Sequence, residues 1–168
     1  MRYPFEKQRD LKDCGICSLL MIVRYYGGAV SKEYLRELTN TNKSGVTAYD
    51  LINGAKKIGF DSYGVKGSIE DLVIDDAPLI AHVIYKKSIK HFIVIYKIDK
   101  KKKVLLVADP NSNHIKKMSF LEFDSISTGV FIILKPRKKI LYINKNTYLE
   151  SIIIQFIKKY TSKIIYIY

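Results

Sequence analysis

The chain has no tryptophan, two cysteines, four prolines, and 16 acidic residues against 29 basic ones. Each shortage excludes something. Cys14 and Cys17, three positions apart, cannot staple a disulfide-framed secreted domain, so a reduced compartment is expected. Two cysteines and scattered histidines lack the four-ligand spacing of a zinc site; no metal and no cofactor are expected. No stretch reaches the roughly 18 uninterrupted apolar residues of a membrane helix. The opening MRYPFEKQRD lacks the apolar core of a signal peptide. No G-x-x-x-x-G-K-[ST] phosphate loop occurs, so ATP hydrolysis is not assigned to these residues. The net charge of +13 suits nucleic acid, an anionic membrane or an acidic peptide. No helix-turn-helix, zinc-finger or RNP-like pattern accompanies it, so nucleic acid is not an expected partner. KIDKKKK (97–103) and KPRKK (135–139) read as solvated loops.

What is present suffices for one domain. Of 168 residues, 48% are hydrophobic, and 13 Tyr and 7 Phe supply the aromatic packing that Trp would otherwise give. Residues 1–13 read as polar and irregular. Asp13 is the expected N-cap of a helix from Cys14 to Tyr26, closed by Gly27 and Gly28. A second helix opens at Ser31, and TAYDLINGAKKIGF (47–60) is a third. The period then changes. DSYGVKG (61–67), APLIAHVIY (77–85), HFIVIYKI (91–98), KVLLVAD (103–109) and TGVFIILKP (128–136) read as strands, and 116–123 as a strand with a helical turn. Helices first and antiparallel strands second predict an α+β domain over 1–138. In 139–168, Ile152, Ile153, Phe156, Ile157 and Tyr160 recur at helical spacing among lysines. Two readings of 147–168 stay open: an amphipathic helix at a membrane surface, or a helix packed on the domain's own sheet. Its last residues, IIYIY, could also begin a transmembrane domain.

Cys14 carries the chemistry. It stands at the first turn of a helix, where unpaired N–H groups and the macrodipole favour an anion. With a histidine beside it, such a position lowers a thiol pKa from about 8.5 toward roughly 3.5–7.5. Gly15 would let a substrate backbone come close. Cys17, one turn deeper, reads as a buried small hydrophobe. Three histidines are available as bases: His82, His91 and His114. The hairpin 91–109 chooses among them. Pairing about a centre near residue 101 puts Asp109 opposite Ile93, and His91 shares a face with Ile93. His91 and Asp109 become diagonal neighbours, the arrangement in which a carboxylate orients an imidazole. A slip of one residue would separate them. His82, inside an apolar strand, reads as a core or wall residue, and His114 as solvated. Gln8, six residues before Cys14, is the candidate side-chain donor to an oxyanion, together with the Cys14 N–H.

The ordered set Q-x5-CG, LLMIVRYYG, SGVTAYDLINGAKKIGF, PLIAHV, HFIVIYKI, VLLVADP and TGVFIILKP resembles the N-terminal peptidase domain of bacteriocin-exporting ABC transporters. The resemblance covers about Pro4 to Pro136. It implies a papain-like fold, with a helical half packed on an antiparallel sheet. It also implies Cys14 as nucleophile, His91 as general base and acid, Asp109 as its orienter and Gln8 as oxyanion donor. The implied reaction is cleavage of a bacteriocin- or lantibiotic-type precursor after a Gly-Gly or Gly-Ala pair ending its leader. The leader would dock as an amphipathic helix, on the cytoplasmic side of the bacterial plasma membrane. Membrane and ATPase domains would act in cis or in trans. Three departures stand out: Cys17 where relatives usually have a small residue, Ser18 where they often have cysteine, and NSNH (111–114) in place of a glycine-containing turn. The rival readings are a leader-docking module without catalysis and a CxxC thiol–disulfide oxidoreductase. The polar EKQRDLKD before Cys14 is unlike the buried strand that a redox motif would follow.

Overall fold

A helix with apolar residues on every side must be surrounded, and α1 (Cys14–Tyr25) is: every residue from Cys14 to Val23 is buried. It ends where Gly27 turns to φ +78° and the Gly28 N–H reaches back to the Val23 carbonyl at 2.9 Å. Asp13 stands at the N-cap position, but its side chain makes no capping bond. The segment before it is a 3-10 turn, Leu11–Asp13, whose own cap is Asp10. Helix α2 (Lys32–Leu38) is capped by Ser31 on the Tyr34 N–H, and α3 (Ala48–Lys57) by Thr47 on the Asp50 N–H.

The computed structural model describes residues 3–42, 44–72 and 77–137. The domain boundary expected near 138 and the amphipathic segment 147–168 lie outside the described residues. No helix within them is long and apolar enough to cross a membrane.

After α3 come β1 (Phe60–Lys66), β2 (Leu79–Tyr85), β3 (Ile89–Asp99), β4 (Val104–Ala108), β5 (Lys116–Ser119), the short α4 (Phe120–Asp124) and β6 (Ser127–Pro136). The strands form one antiparallel sheet in the order β1-β6-β2-β3-β4-β5. Both faces are covered, which is why β2 and β3 read as continuous apolar runs rather than alternating ones. One face, with Ile80, Phe92, Val94, Ile132 and Leu134, packs under α1 and α3. The other, with Ala81, Val83, Ile93, Val107 and Phe131, packs with Phe120 and Phe123 of α4. This is the α+β, helices-then-sheet architecture expected from the order of the patterns.

Two details position the site. Val94 pairs with Ala108 and Ile95 with Val107, the register expected for the His91 end of the hairpin. Beyond Ile95 the pairing slips by one, to Lys97 with Leu106. The slip falls at Tyr96, whose hydroxyl donates to the Pro4 carbonyl at 2.6 Å and whose ring packs on Tyr3 and Tyr25. The N-terminal segment is therefore strapped to the sheet rather than loose, and the Gln8 N–H is held by the Pro110 carbonyl at 2.9 Å.

Candidate active site

The start of α1 is held against β3 by a polar tie: Ser18 Oγ, one turn past Cys14, donates to the Phe92 carbonyl at 3.2 Å. Gly15 completes the fit. A Cβ there would overlap Val46 and crowd Leu51 and Phe92. Its missing side chain thus serves close packing, and not the substrate approach expected from the sequence.

His91 and Asp109 meet as the hairpin register requires. His91 Nε2 lies 2.7 Å from Asp109 Oδ1, and the two side chains are 4% and 11% exposed. With Nε2 committed to Asp109, Nδ1 is left for Cys14, which also interacts with the ring. Burial works against a charged ring. Hydrogen bonds to Asp109 and Cys14, with the electrostatic pull of both groups, overcome it and push the His91 pKa up to about 9. Asp109 is itself pressed toward neutrality by burial. It is nonetheless held below the usual carboxylate range by the bonds from His91, the Asn111 N–H and the Tyr85 hydroxyl. The last two are 2.8 Å to Oδ1 and 2.9 Å to Oδ2.

Tyr85 is a participant that the sequence reading missed. Val83 pairs with His91 across β2 and β3, so Tyr85 and His91 are diagonal neighbours, with ring centroids 5.4 Å apart. The signal lay in the β2–β3 hairpin, whose turn at 86–88 would have paired 85 with 89. A second missed residue is Arg36. The Asp13 carboxylate, 5% exposed and adjacent to Cys14, receives a two-pronged ion pair from Arg36 at 2.9 Å to each oxygen. That pair explains why Asp13 does not cap α1.

Leu11 stands, 69% exposed, between two hollows. One, of about 370 Å³, is lined by Gln8, Tyr85, His91, Asp109 and Asn111. The other, of about 480 Å³, holds Cys14 between the loop 44–48 and a wall of His82, Phe92 and Val130. Gln8 therefore faces the same hollow as His91, and its buried Oε1 has no hydrogen-bond partner. His114 is exposed. Lys12, Lys86, Lys90 and Lys116 rim the two hollows and a shallower one beside them. No group of three or more His, Cys, Asp or Glu among the described residues is arranged to hold a metal ion.

The redox reading fails on the same geometry. Both cysteines are free thiols. Cys17 is fully buried, burial pushes its pKa up to about 11, and a 3-10 turn instead of a strand leads into the motif.

A thiol at the first turn of a buried helix, beside an imidazole held by a carboxylate, set in a cleft against an antiparallel sheet, is the constellation of a papain-like cysteine peptidase. Comparison with known proteins gives the family: residues 2–139 match the peptidase C39 family, and the chain belongs to it. It is 36% identical over 132 residues to the lactococcin-G-processing and transport ATP-binding protein LagD of Lactococcus lactis, covering 77% of this chain and 18% of that one. It is 30% identical over 138 residues to the pediocin PA-1 transport/processing ATP-binding protein PedD of Pediococcus acidilactici, covering 80% of this chain and 19% of that one. The chain thus spans about a fifth of the length of these relatives. Among solved structures it is similar to the peptidase domain of Streptococcus ComA, a bifunctional ABC transporter. That match has a TM-score of 0.71 and 36% identity, over 80% of this chain and 99% of that one. A double-glycine-motif protease from an AMS/PCAT transporter, solved with its leader peptide, matches with a TM-score of 0.70 and 27% identity, over 80% and 92%.

Proposed function

We propose that this domain removes the leader from a bacteriocin- or lantibiotic-type precursor by cutting after a double-glycine pair. It would act on the cytoplasmic face of the bacterial membrane, with export carried out by transporter domains in cis or in trans. The observation that carries the reading is the buried His91–Asp109 couple beside Cys14. Cys14 Sγ attacks the scissile carbonyl as a thiolate. The tetrahedral oxyanion is met by the Cys14 backbone N–H and by the Gln8 amide, whose NH2 and oxygen exchange places by rotation about its terminal bond. His91, protonated at neutral pH, gives its proton to the departing amine. It then takes one from the water that releases the acyl group from sulfur. Asp109 keeps the ring oriented throughout. Small residues before the cut suit the hollow at Cys14, closed on one side by Val46, Thr47 and Ala48. The lysines around both hollows suit an acidic leader.

The test is cleavage of a synthetic acidic, amphipathic leader ending in Gly-Gly by wild-type protein and by Cys14→Ala, with products read by mass spectrometry. A cut directly after the second glycine, lost in the variant, is the expected result. Tight binding by both proteins without any cut would overturn the enzymatic assignment in favour of a docking module.

A further inference from the structure

β6 does not pair evenly with β2. His82 is opposite Val130, but the next residue, Val83, is opposite Ser127, so Thr128 and Gly129 form a bulge. The bulge is built for its place. Gly129 adopts φ +70°, and a Cβ there would come within 2.9 Å of the Gly67 carbonyl oxygen. The Gly67 N–H donates to the Gly129 carbonyl at 2.9 Å, and the Gly129 N–H donates to Ser127 Oγ at 3.1 Å. The effect is to aim the Thr128 side chain at His82. Thr128 Oγ1 donates to the His82 carbonyl at 2.9 Å and lies 2.9 Å from His82 Nδ1.

A hydroxyl has one proton. With that proton on the His82 carbonyl, the contact at Nδ1 is an N–H donated by the ring to Thr128 Oγ1. In that arrangement Nδ1 carries the hydrogen and Nε2 presents a lone pair, and this is the tautomer on which the proposal stands. Burial, with the nearby Lys90 and His91 charges, lowers the His82 pKa and keeps the ring neutral. Among the described residues Nε2 has no hydrogen-bond partner. The one buried, unpartnered side-chain nitrogen or oxygen among the described residues is Gln8 Oε1, so His82 Nε2 is open to solvent. The ring stands edge-on to Phe92, with centroids 5.1 Å apart, in the wall that faces Cys14 across the hollow. A core histidine satisfied at both nitrogens would need none of this.

We propose that His82 is a substrate-binding residue whose Nε2 accepts a backbone N–H from the acyl half of the bound peptide, within the last three residues before the scissile bond. The side follows from the chemistry of the two hollows. The proton donor to the leaving amine, His91, lines the one with Gln8 and Asn111. The acyl half therefore crosses Cys14 into the hollow walled by His82. An acceptor there fixes the depth and register of an extended chain without requiring any side chain, which glycine lacks. The inference rests on the proposed peptidase reading.

Two measurements test it, and they fail separately from that reading. The first needs no turnover: ¹⁵N-edited NMR of the imidazole in Cys14→Ala. The expected spectrum has Nδ1 protonated and Nε2 bare, with the Nε2 resonance moving when the Gly-Gly leader is added. A protonated Nε2, or an Nε2 signal indifferent to bound leader, overturns the proposal. The second compares cleavage by wild type, His82→Gln and His82→Phe, using leaders in which the α-hydroxy acid with the same side chain replaces one residue and so swaps a single N–H for oxygen. Loss of one neutral hydrogen bond corresponds to about a tenfold fall in kcat/KM. His82→Phe should show that fall, with melting and the His91 resonances unchanged. His82→Gln, which retains an acceptor, should recover most of the rate. One ester position should cost wild type the same factor and cost His82→Phe nothing more. A His82→Phe variant within twofold of wild type, or ester and variant losses that simply multiply at every position, overturns it.

Discussion

Replacing Asp109 by asparagine removes a charge while leaving nearly the same shape. The carbonyl oxygen of the new amide can still accept from His91 Nε2 and from the Asn111 N–H, which now share Oδ1. The Tyr85 hydroxyl, which now donates to Oδ2, can turn and accept from the amide NH2. What is lost is the anion that favours a protonated His91. A ring held at about 9 rather than 6.5 has its charged form stabilised by roughly 3 kcal/mol, at about 1.4 kcal/mol per pH unit. Asp109 and Cys14 share that stabilisation. Asp109→Asn removes the Asp109 share and lowers the His91 pKa toward its ordinary value. The sign follows from the raised value: a reaction needing the protonated ring is lost as pH rises through about 9 in wild type. It should be lost at lower pH in the variant. The assay is the pH profile of kcat/KM for leader cleavage from pH 5 to 10, with the His91 ring followed by NMR over the same range. The variant's alkaline limb should move down and its maximum fall by roughly tenfold. An alkaline limb that stays in place while the maximum falls would refute the electrostatic role of Asp109 and leave it a purely steric orienter.

Arg36→Ala should destabilise the domain by about 2 kcal/mol: below the usual cost of stranding a buried charge, because Arg36 is 36% exposed. That corresponds to a Tm lower by roughly 4–8 °C, and calorimetry in which Arg36→Ala matches wild type would contradict the assignment of Asp13 as a buried anion. Cys17→Ser should keep leader cleavage within about threefold of wild type, since a fully buried thiol does no chemistry here. Loss of activity in a folded Cys17→Ser protein would revive a redox role.

Much of this was legible because it is local. Caps, glycine stops and the change of period from helix to strand all act over a few residues, and α1, α3 and the strands fall close to where those signals put them. The His91–Asp109 approach was legible for the same reason: a single tight hairpin carries both residues, so counting back from the turn is enough. Even there, the Tyr96 bulge, set by contacts with the N-terminal segment, was not visible. What escaped was joined across long separations. Asp13 looks like an N-cap until Arg36, 23 residues on, is seen to hold it. His82 looks like a core histidine in an apolar strand because Thr128, which contacts its Nδ1, is 46 residues away. Tyr85 looks like strand filler because its hydroxyl matters only once Asp109 arrives from β4. The strand order, with β6 inserted between β1 and β2, has no local signature at all.

β2 is hydrogen-bonded along both edges, to β3 and to β6, and carries His82 toward one face and Tyr85 toward the other. The opposite side of the Cys14 hollow is the loop 44–47 that leads into α3, held by a bridge between Asn42 and Gly45, by the Ser44 N–H on Asn42 Oδ1 and by Val46 packed against Gly15. In mechanical terms the cleft is a vice with one jaw bolted down and one jaw on a short arm. Amides of β2 should then exchange with solvent only when the whole domain opens, while those of 44–47 exchange through a smaller, local opening. An engineer wishing to admit bulkier residues at the cut should rebuild the arm, because any change made in β2 disturbs the substrate wall and the His91 support together.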